Sequence, residues 1–196
     1  MSLFAQNNFI PIQNQEKFKN EYANYGNNLL SLTSNFIQEK HLEYLSSSII
    51  SEGKLWYKKD SMVRWEYTKP FKYLIIKNKN KITIIDENRK QEYNRKPNKA
   101  FQFLNDILSG SVNGSLLTDE RFTFSVSENN IEYLVELTPA IEEDKKIFEK
   151  IQLYFAKIDK AVCMIKMIEP NNDYISLKFE NRKVNVSVDN KLFSDF

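Results

Sequence analysis

The sequence predicts a mainly β protein: one long antiparallel sheet of about eleven strands, curled by its own twist into a barrel or part of one, with two or three helices on its concave side. Three observations carry this. Period-two runs rich in aromatic and β-branched residues recur along most of the chain, joined by tight polar connections. Only two stretches repeat with the helical period. The later strands share an apolar face that water would penalise at about 25 cal/mol per Å², so something must cover it.

In order, residues Ile10–Leu32 place Phe18, Tyr22, Tyr25 and Leu29 at i, i+4, i+7 and i+11, one face of an amphipathic helix. Glu16, Lys17, Lys19, Asn20 and Glu21 occupy the rest of its surface, Pro11 precedes it, and Gly26, Asn27 and Asn28 weaken its last turn. Leu32–Leu45 and Ser46–Glu52 read as extended segments, the second able to run straight on into the next run.

That next stretch, Gly53–Lys77, holds three alternating runs: Gly53–Lys58, Met62–Tyr67 and Lys72–Lys77. A charged turn (Lys59, Asp60, Ser61) and a proline-centred break (Thr68, Lys69, Pro70) separate them, which predicts a meander. Leu55, Tyr57, Val63, Trp65 and Tyr67 form its apolar register, and Lys54, Trp56, Lys58, Met62, Arg64 and Glu66 a mostly polar one. Lys81–Asp86 and Arg89–Arg95 follow as a hairpin.

A second helix is predicted over Pro97–Leu108, with Phe101, Leu104 and Leu108 on one stripe and Gly110 as its stop. Ser111–Asp119 is open between loop and a short helical turn. The remaining runs are Arg121–Glu128, Ile131–Thr138, Phe148–Lys157, Ala161–Glu169, Asp173–Glu180 and Lys183–Val188. Their connections, Asn129-Asn130, Asp159-Lys160, Asn171-Asn172 and Asn181-Arg182, have hairpin compositions, so neighbours in sequence should pair antiparallel. One face collects Ile151, Leu153 and Phe155, then Cys163, Ile165 and Met167, then Ile175, Leu177 and Phe179.

With 196 residues and no interdomain linker, the chain reads as a single domain over residues 1–196. Hydrophobic residues at 41% and charged residues at 28% are ordinary for a globular chain, while aromatics at 13% suit sheets and a wall that contacts something apolar. A net charge of +2, with lysines placed at strand edges and hairpin tips, argues for no nucleic-acid partner. No run approaches the ~20 apolar residues of a membrane-spanning helix. Met1–Asn7 reads as the tail of a secretion signal behind an initiator methionine.

Catalytic chemistry finds little support. The four glycines, Gly26, Gly53, Gly110 and Gly114, are scattered, so there is no phosphate loop. One histidine, His41, among Glu39, Lys40 and Glu43 reads as an exposed strand residue, and one cysteine, Cys163, as a small buried one. Asp119-Glu120 and Glu142-Glu143-Asp144 read as solvated loops. No cofactor, metal or enzymatic activity is expected.

The meander resembles the periplasmic outer-membrane lipoprotein carrier family, LolA. Gly53-Lys54-Leu55-Trp56-Tyr57-Lys58-Lys59, Met62-Val63-Arg64-Trp65, Thr68-Lys69-Pro70 and Leu74-Ile75-Ile76 follow that family's pattern of Gly-x-Leu-Trp, basic turn, apolar-x-Trp strand, Thr-x-Pro and aliphatic strand. Phe36-Ile37-Gln38 resembles its Phe-x-Gln, and Leu137-Thr138-Pro139 precedes the last strands as in the family. Lys59 stands in the slot of an arginine that latches the family's lid to its barrel, Val63 in that of a larger aromatic, and the C-terminal extension is expected to be short.

The resemblance implies an incomplete β-barrel closed by a helical lid over a cavity for lipoprotein acyl chains. The lid face would be Phe18, Tyr22, Tyr25, Leu29, Phe101, Leu104 and Leu108. The wall would be Leu55, Tyr57, Val63, Trp65, Tyr67, Leu153, Phe155, Ile165 and Leu177, with Lys59 as the lid latch. It further implies a periplasmic monomer, its signal removed, that touches membranes only transiently. Acylated lipoproteins, an inner-membrane ABC-type exporter and an outer-membrane acceptor would be its partners. The alternative is a lipid- or lipoprotein-sensing regulatory module of the same fold that binds a membrane signalling partner. Phe, Tyr and Leu at helical spacing are ordinarily core, and in a lid that closes when empty the two roles coincide.

Overall fold

The alternating runs assemble into one open antiparallel sheet, seen in a computed structural model that describes residues 8–79, 81–86, 89–93, 110, 112 and 115–194. Its strands are β1 (Ile10–Pro11), β2 (Ser31–His41), β3 (Ile49–Lys58), β4 (Met62–Lys69), β5 (Tyr73–Asn78), β6 (Lys81–Asp86) and β7 (Arg89–Tyr93) in the first half. The second half supplies β8 (Phe122–Glu128), β9 (Glu132–Pro139), β10 (Lys150–Ala156), β11 (Val162–Ile168) and β12 (Tyr174–Val184). The spatial order is β1-β8-β9-β10-β11-β12-β2-β3-β4-β5-β6-β7, so two meanders meet where β12 pairs with β2. β1 pairs only with β8, and β7 only with β6, among the described residues. The sheet is an incomplete barrel, as expected, with eleven full strands and a two-residue edge strand.

This topology positions the N-terminal helix α1 (Gln15–Asn28). It leaves β1 at one end of the sheet and must reach β2 in the middle, six strand positions away. The contacts of Phe18 and Tyr22 with Tyr133 on β9 and Phe155 on β10 place the helix on the concave side of the curved sheet. Curvature also shows in Trp65 on β4 and Phe179 on β12: three strands apart in the ladder, their ring centroids lie 6.0 Å from each other.

One hydrophobic core fills the concave side, with residues from α1, β2–β5 and β8–β12. The interior register holds Ile151, Leu153 and Phe155 on β10, Ile165 and Met167 on β11, and Leu177 and Phe179 on β12, all buried. Cys163 departs from the expectation. A bulge between Tyr154 and Phe155 sets Val162 opposite Phe155, so Val162 takes the buried place. Cys163 is half-buried, its Sγ 3.3 Å from the Tyr154 carbonyl oxygen, and burial beside Glu132 raises its thiol pKa to about 11. His41 ends β2 half-buried and stacked on Tyr174 at 4.9 Å.

Two further expectations change, and one left open is resolved. Asn181-Arg182 is no hairpin turn: β12 runs through it with a register shift, Asn181 takes φ 53°, and pairing with β2 resumes at Lys183 and Val184. Ser34 Oγ and Arg182 donate to the carbonyls of Glu180 and Phe179 there, satisfying groups that the bulge takes out of the ladder. Ile49–Glu52 runs straight on into Gly53–Lys58 as one strand, β3, the continuation the sequence left open, while Ser46–Ser48 stay outside it. Gly110 is still helical, as is Val112, where a helix stop was expected. A Cβ at 110 would lie 2.7 Å from Leu116 Cγ, so close packing rather than termination explains that glycine. The ambiguous segment forms a 3-10 turn, Ser115–Thr118, whose Leu116 and Leu117 join the core.

The convex face is less polar than the sequence suggests. Trp56, Met62 and Leu74 pack with Ile76, Val188, Leu192 and Phe193, where the segment after β12 folds back over the meander. Lys58 donates to the Val188 carbonyl at 2.9 Å and Arg64 to that of Leu192 at 3.0 Å.

Gly53 explains the start of the meander. It pairs with Phe36 on β2 and with Tyr67 on β4, and a Cβ there would fall 2.3 Å from the Glu66 carbonyl oxygen and 2.4 Å from Phe36 Cζ. The phenyl ring thus lies over the bare backbone, 5.0 Å from the rings of Trp65 and Tyr67. Gly53→Ala should lower stability by about 1–3 kcal/mol through this overpacking, measured by urea denaturation. Gly53→Ala combined with Phe36→Leu should lose less than the two single changes summed; strict additivity would show that the ring and the glycine are not coupled.

Candidate functional site

The inner surface of the barrel, with α1 against it, is where the sequence-predicted site residues converge. Asn14 caps the helix by accepting the Lys17 amide at 2.8 Å, and the Leu29 amide returns to the Gly26 carbonyl at its end. Phe18, Tyr22 and Leu29 are buried in the core and Tyr25 packs against it. Phe18 stacks on Tyr22 at 4.2 Å and meets Tyr133 of β9 at 5.0 Å, while Tyr22 meets Phe155 of β10 edge-on at 4.9 Å. Aromatic pairs in these geometries add to the burial of their area. The helix face therefore rests on β9 and β10.

All nine predicted wall residues belong to the same cluster. Leu55, Tyr57, Val63, Trp65, Leu153, Phe155, Ile165 and Leu177 are buried, and Tyr67 packs against them. Tyr67 donates its hydroxyl to Gln38 Oε1 at 2.8 Å, which gives the Phe36-Ile37-Gln38 segment a physical role. Phe36 and Gln38 point to one side of β2, one covering Gly53 and the other holding Tyr67. The other predicted lid residues, Phe101, Leu104 and Leu108, lie outside the described residues. Sequence reasoning did not single out Val112, Leu116, Leu117, Phe122, Val126 and Val135, which are buried in the same core. The alternation of Phe122, Phe124 and Val126 was the available signal.

Lys59 sits in the β3–β4 turn, where Asp60 and Ser61 take φ of 70° and 61°. Its Nζ donates to the Asn27 carbonyl at 2.9 Å, and its amide donates to the Leu30 carbonyl at 2.9 Å. A cation against the last carbonyls of a helix is favoured by the helix dipole. The contact is a single hydrogen bond from a point charge, not a fork of donors. Beside it lies a cleft of ≈ 360 Å³ lined by Ala23, Gly26, Asn27, Tyr57, Lys59 and Thr118 among others. A second tie at this end is the Asp159–Arg182 pair at 2.9 Å, which joins the β10–β11 turn to the bulge of β12. At the opposite end of the meander, Phe71 is 70% exposed on a cleft of ≈ 650 Å³ shared with Tyr67, Tyr73 and Leu74.

The interior is not wholly apolar. Tyr22 Oη, Tyr25 Oη and Trp65 Nε1 are buried with no hydrogen-bond partner among the described residues. Burial pushes the Tyr25 phenol up to about 12 and those of Tyr22 and Tyr67 higher still, so all three stay neutral. Among the described residues no group of three or more His, Cys, Asp or Glu could hold a metal ion. No helix among them is long and apolar enough to cross a membrane.

Residues 27–195 match the family described as outer membrane lipoprotein carrier protein LolA. No curated protein matches the sequence. Solved structures share the fold at low identity. An uncharacterized conserved protein from Thermus thermophilus is 8% identical, with 93% of this chain and 94% of that chain covered and a TM-score of 0.57. A chain of the Pseudomonas aeruginosa MucA/MucB complex is 8% identical with a TM-score of 0.54; 92% of this chain aligns with 60% of that one. A DUF1329 family protein from Desulfovibrio piger is 9% identical, with 91% and 97% covered and a TM-score of 0.51.

Lys59→Met should cost stability little, within about 0.5 kcal/mol, because the contact is exposed. It should nonetheless speed amide exchange in the last turn of α1, read by hydrogen–deuterium exchange. Unchanged exchange over residues 24–29 would show that Lys59 holds nothing.

Proposed function

The chain belongs to the LolA outer membrane lipoprotein carrier family, and from that premise we propose that it is a periplasmic carrier for the acyl chains of lipoproteins. It would receive them from an inner-membrane ABC-type exporter and pass them to an outer-membrane acceptor, acting as a monomer without catalysis. One observation carries the reading: helix α1 lays an aromatic face into the concave apolar side of a sheet that, among the described residues, does not close. Such an arrangement can exchange one apolar occupant for another without breaking the strand ladder.

The energies are commensurate. Phe18, Tyr22, Tyr25 and Leu29 contribute about 1.5–3 kcal/mol each when buried, roughly 6–12 kcal/mol for the face. A 16-carbon acyl chain gains about 0.8 kcal/mol per methylene, roughly 12 kcal/mol. Cargo of one to three chains can therefore displace the helix, and return of the helix can help expel the cargo. Lys59, Tyr57 and the cleft beside α1 lie at the end where the helix would hinge away.

The test is co-purification from cells that express a lipoprotein with its acylated N-terminal cysteine. The carrier should retain the acylated form and release it on adding detergent, and it should ignore the same lipoprotein with that cysteine replaced by serine. Equal retention of both, or of neither, would refute the carrier role. A lipid-sensing regulatory use of the same cavity is the alternative, and the fold shared with a chain of the MucA/MucB complex favours it. The chain aligns with 60% of that relative. Cross-linking in membranes discriminates: an ABC-type exporter is expected, and a single-span signalling protein would replace the carrier reading with the sensor.

A further inference from the structure

The carrier reading accounts for the apolar walls but not for three polar atoms buried among them. Native interiors pair nearly every buried donor, and each orphan carries a desolvation cost. Here Tyr22 Oη, Tyr25 Oη and Trp65 Nε1 are all shielded from water and unpartnered among the described residues. Tyr22 and Trp65 are each only 2% exposed. Phenylalanine fills comparable space nearby at positions 18, 36, 155 and 179 without that cost, so packing alone does not call for a hydroxyl or an indole N–H.

The three donors belong to one core, which cargo would enter. Tyr22 and Tyr25 are on the covering helix, and Trp65 is on the wall. An indole N–H can only donate, and a phenol held neutral by burial donates readily. What suits them is a neutral acceptor, because bringing a carboxylate or phosphate into this cluster would cost far more than a neutral group. Resting on the carrier reading, we propose that Tyr22, Tyr25 and Trp65 hydrogen-bond the ester or amide carbonyl oxygens at the head of the acyl chains, so that the interior selects acyl chains over plain alkyl chains. Hydrocarbon tails alone offer these donors nothing. A carbonyl turns an unsatisfied group into a satisfied one as the cargo enters, so the recognition favours the loaded state specifically.

The experiment compares two lipids that differ at the linkage: 1,2-dipalmitoylglycerol, a diester, and 1,2-dihexadecylglycerol, a diether, each presented from cyclodextrin to the full chain. The wild type should retain the diester roughly tenfold or more over the diether, since one hydrogen bond is worth about fivefold in affinity. Tyr22→Phe and Trp65→Phe should each cut that preference about fivefold, with the thermal midpoint of the empty protein unchanged or raised. A purely structural role would lower the midpoint and leave the preference alone. Equal retention of the two lipids by the wild type, or a preference that survives both substitutions, would overturn the carbonyl assignment while the carrier reading stands. Retention of neither lipid would overturn the carrier reading and this inference with it.

Discussion

An antiparallel sheet that stops short of closure sets the terms for everything else in this molecule. Its concave face is apolar from β2 through β5 and from β8 through β12, and no strand among the described residues closes over it. A closed barrel of this size would seal its interior with hydrogen bonds; an open one must be covered by something held only by side-chain packing. Helix α1 is that cover among the described residues, tied in place by the order of the strands. Its chain enters at the edge and leaves into β2 at the centre, and its aromatic face packs on β9 and β10 inside the curve.

Local devices follow from the curvature. The sheet bends where a ring can approach bare backbone, at Gly53 under Phe36, and where an extra residue is inserted, at Asn181–Arg182 in β12 and near Cys163 in β11. On the convex side the segment after β12 crosses back over the meander and shields Trp56 and Ile76. Lys58 and Arg64, which look like ordinary solvated charges, bind the carbonyls of that segment, and Asn78 does the same to Phe193. The two faces are thus covered by different means: an aromatic helix inside, and a hydrogen-bonded strap outside.

Much of this was legible in the sequence because period-two alternation reports burial directly. Leu55, Tyr57, Val63, Trp65 and Tyr67 read as one face and fold as one face. Where reading failed, the cause was nonlocal or depended on a single residue. Asn181-Arg182 has the composition of a turn, yet β2 is long enough to pair on both sides of it, and the ladder overrides the local preference. Cys163 was placed inside because alternation was counted without a bulge, and one inserted residue reverses the faces beyond it. Gly110 looked like a helix stop, whereas its reason is Leu116 across the packing contact, invisible to a linear scan. The strap over the convex face was missed for the same reason, since Val188 and Phe193 find Ile76 only through the fold. Lys59 fills the slot of the family's latching arginine with a point charge, and its one bond to the Asn27 carbonyl is a contact that only the fold brings about.

The composition of α1 then bears on what the cover is for. A helix meant only to complete a core would do best with leucine and phenylalanine, whose burial leaves no polar atom behind. Instead Tyr22 and Tyr25 put hydroxyls into a place where no partner waits among the described residues, and Trp65 does likewise from the wall. Their rings still pack well, with Tyr22 against Phe18, Tyr133 and Phe155, so the closed state is stable without being optimal. A cover that must lift gains from such a deficit. In the proposed carrier it would lower the barrier between closed and loaded states. Polar groups left unsatisfied in a native interior are usually strained or functional. In the proposed carrier, Tyr22 and Tyr25 would mark the contact that cargo replaces.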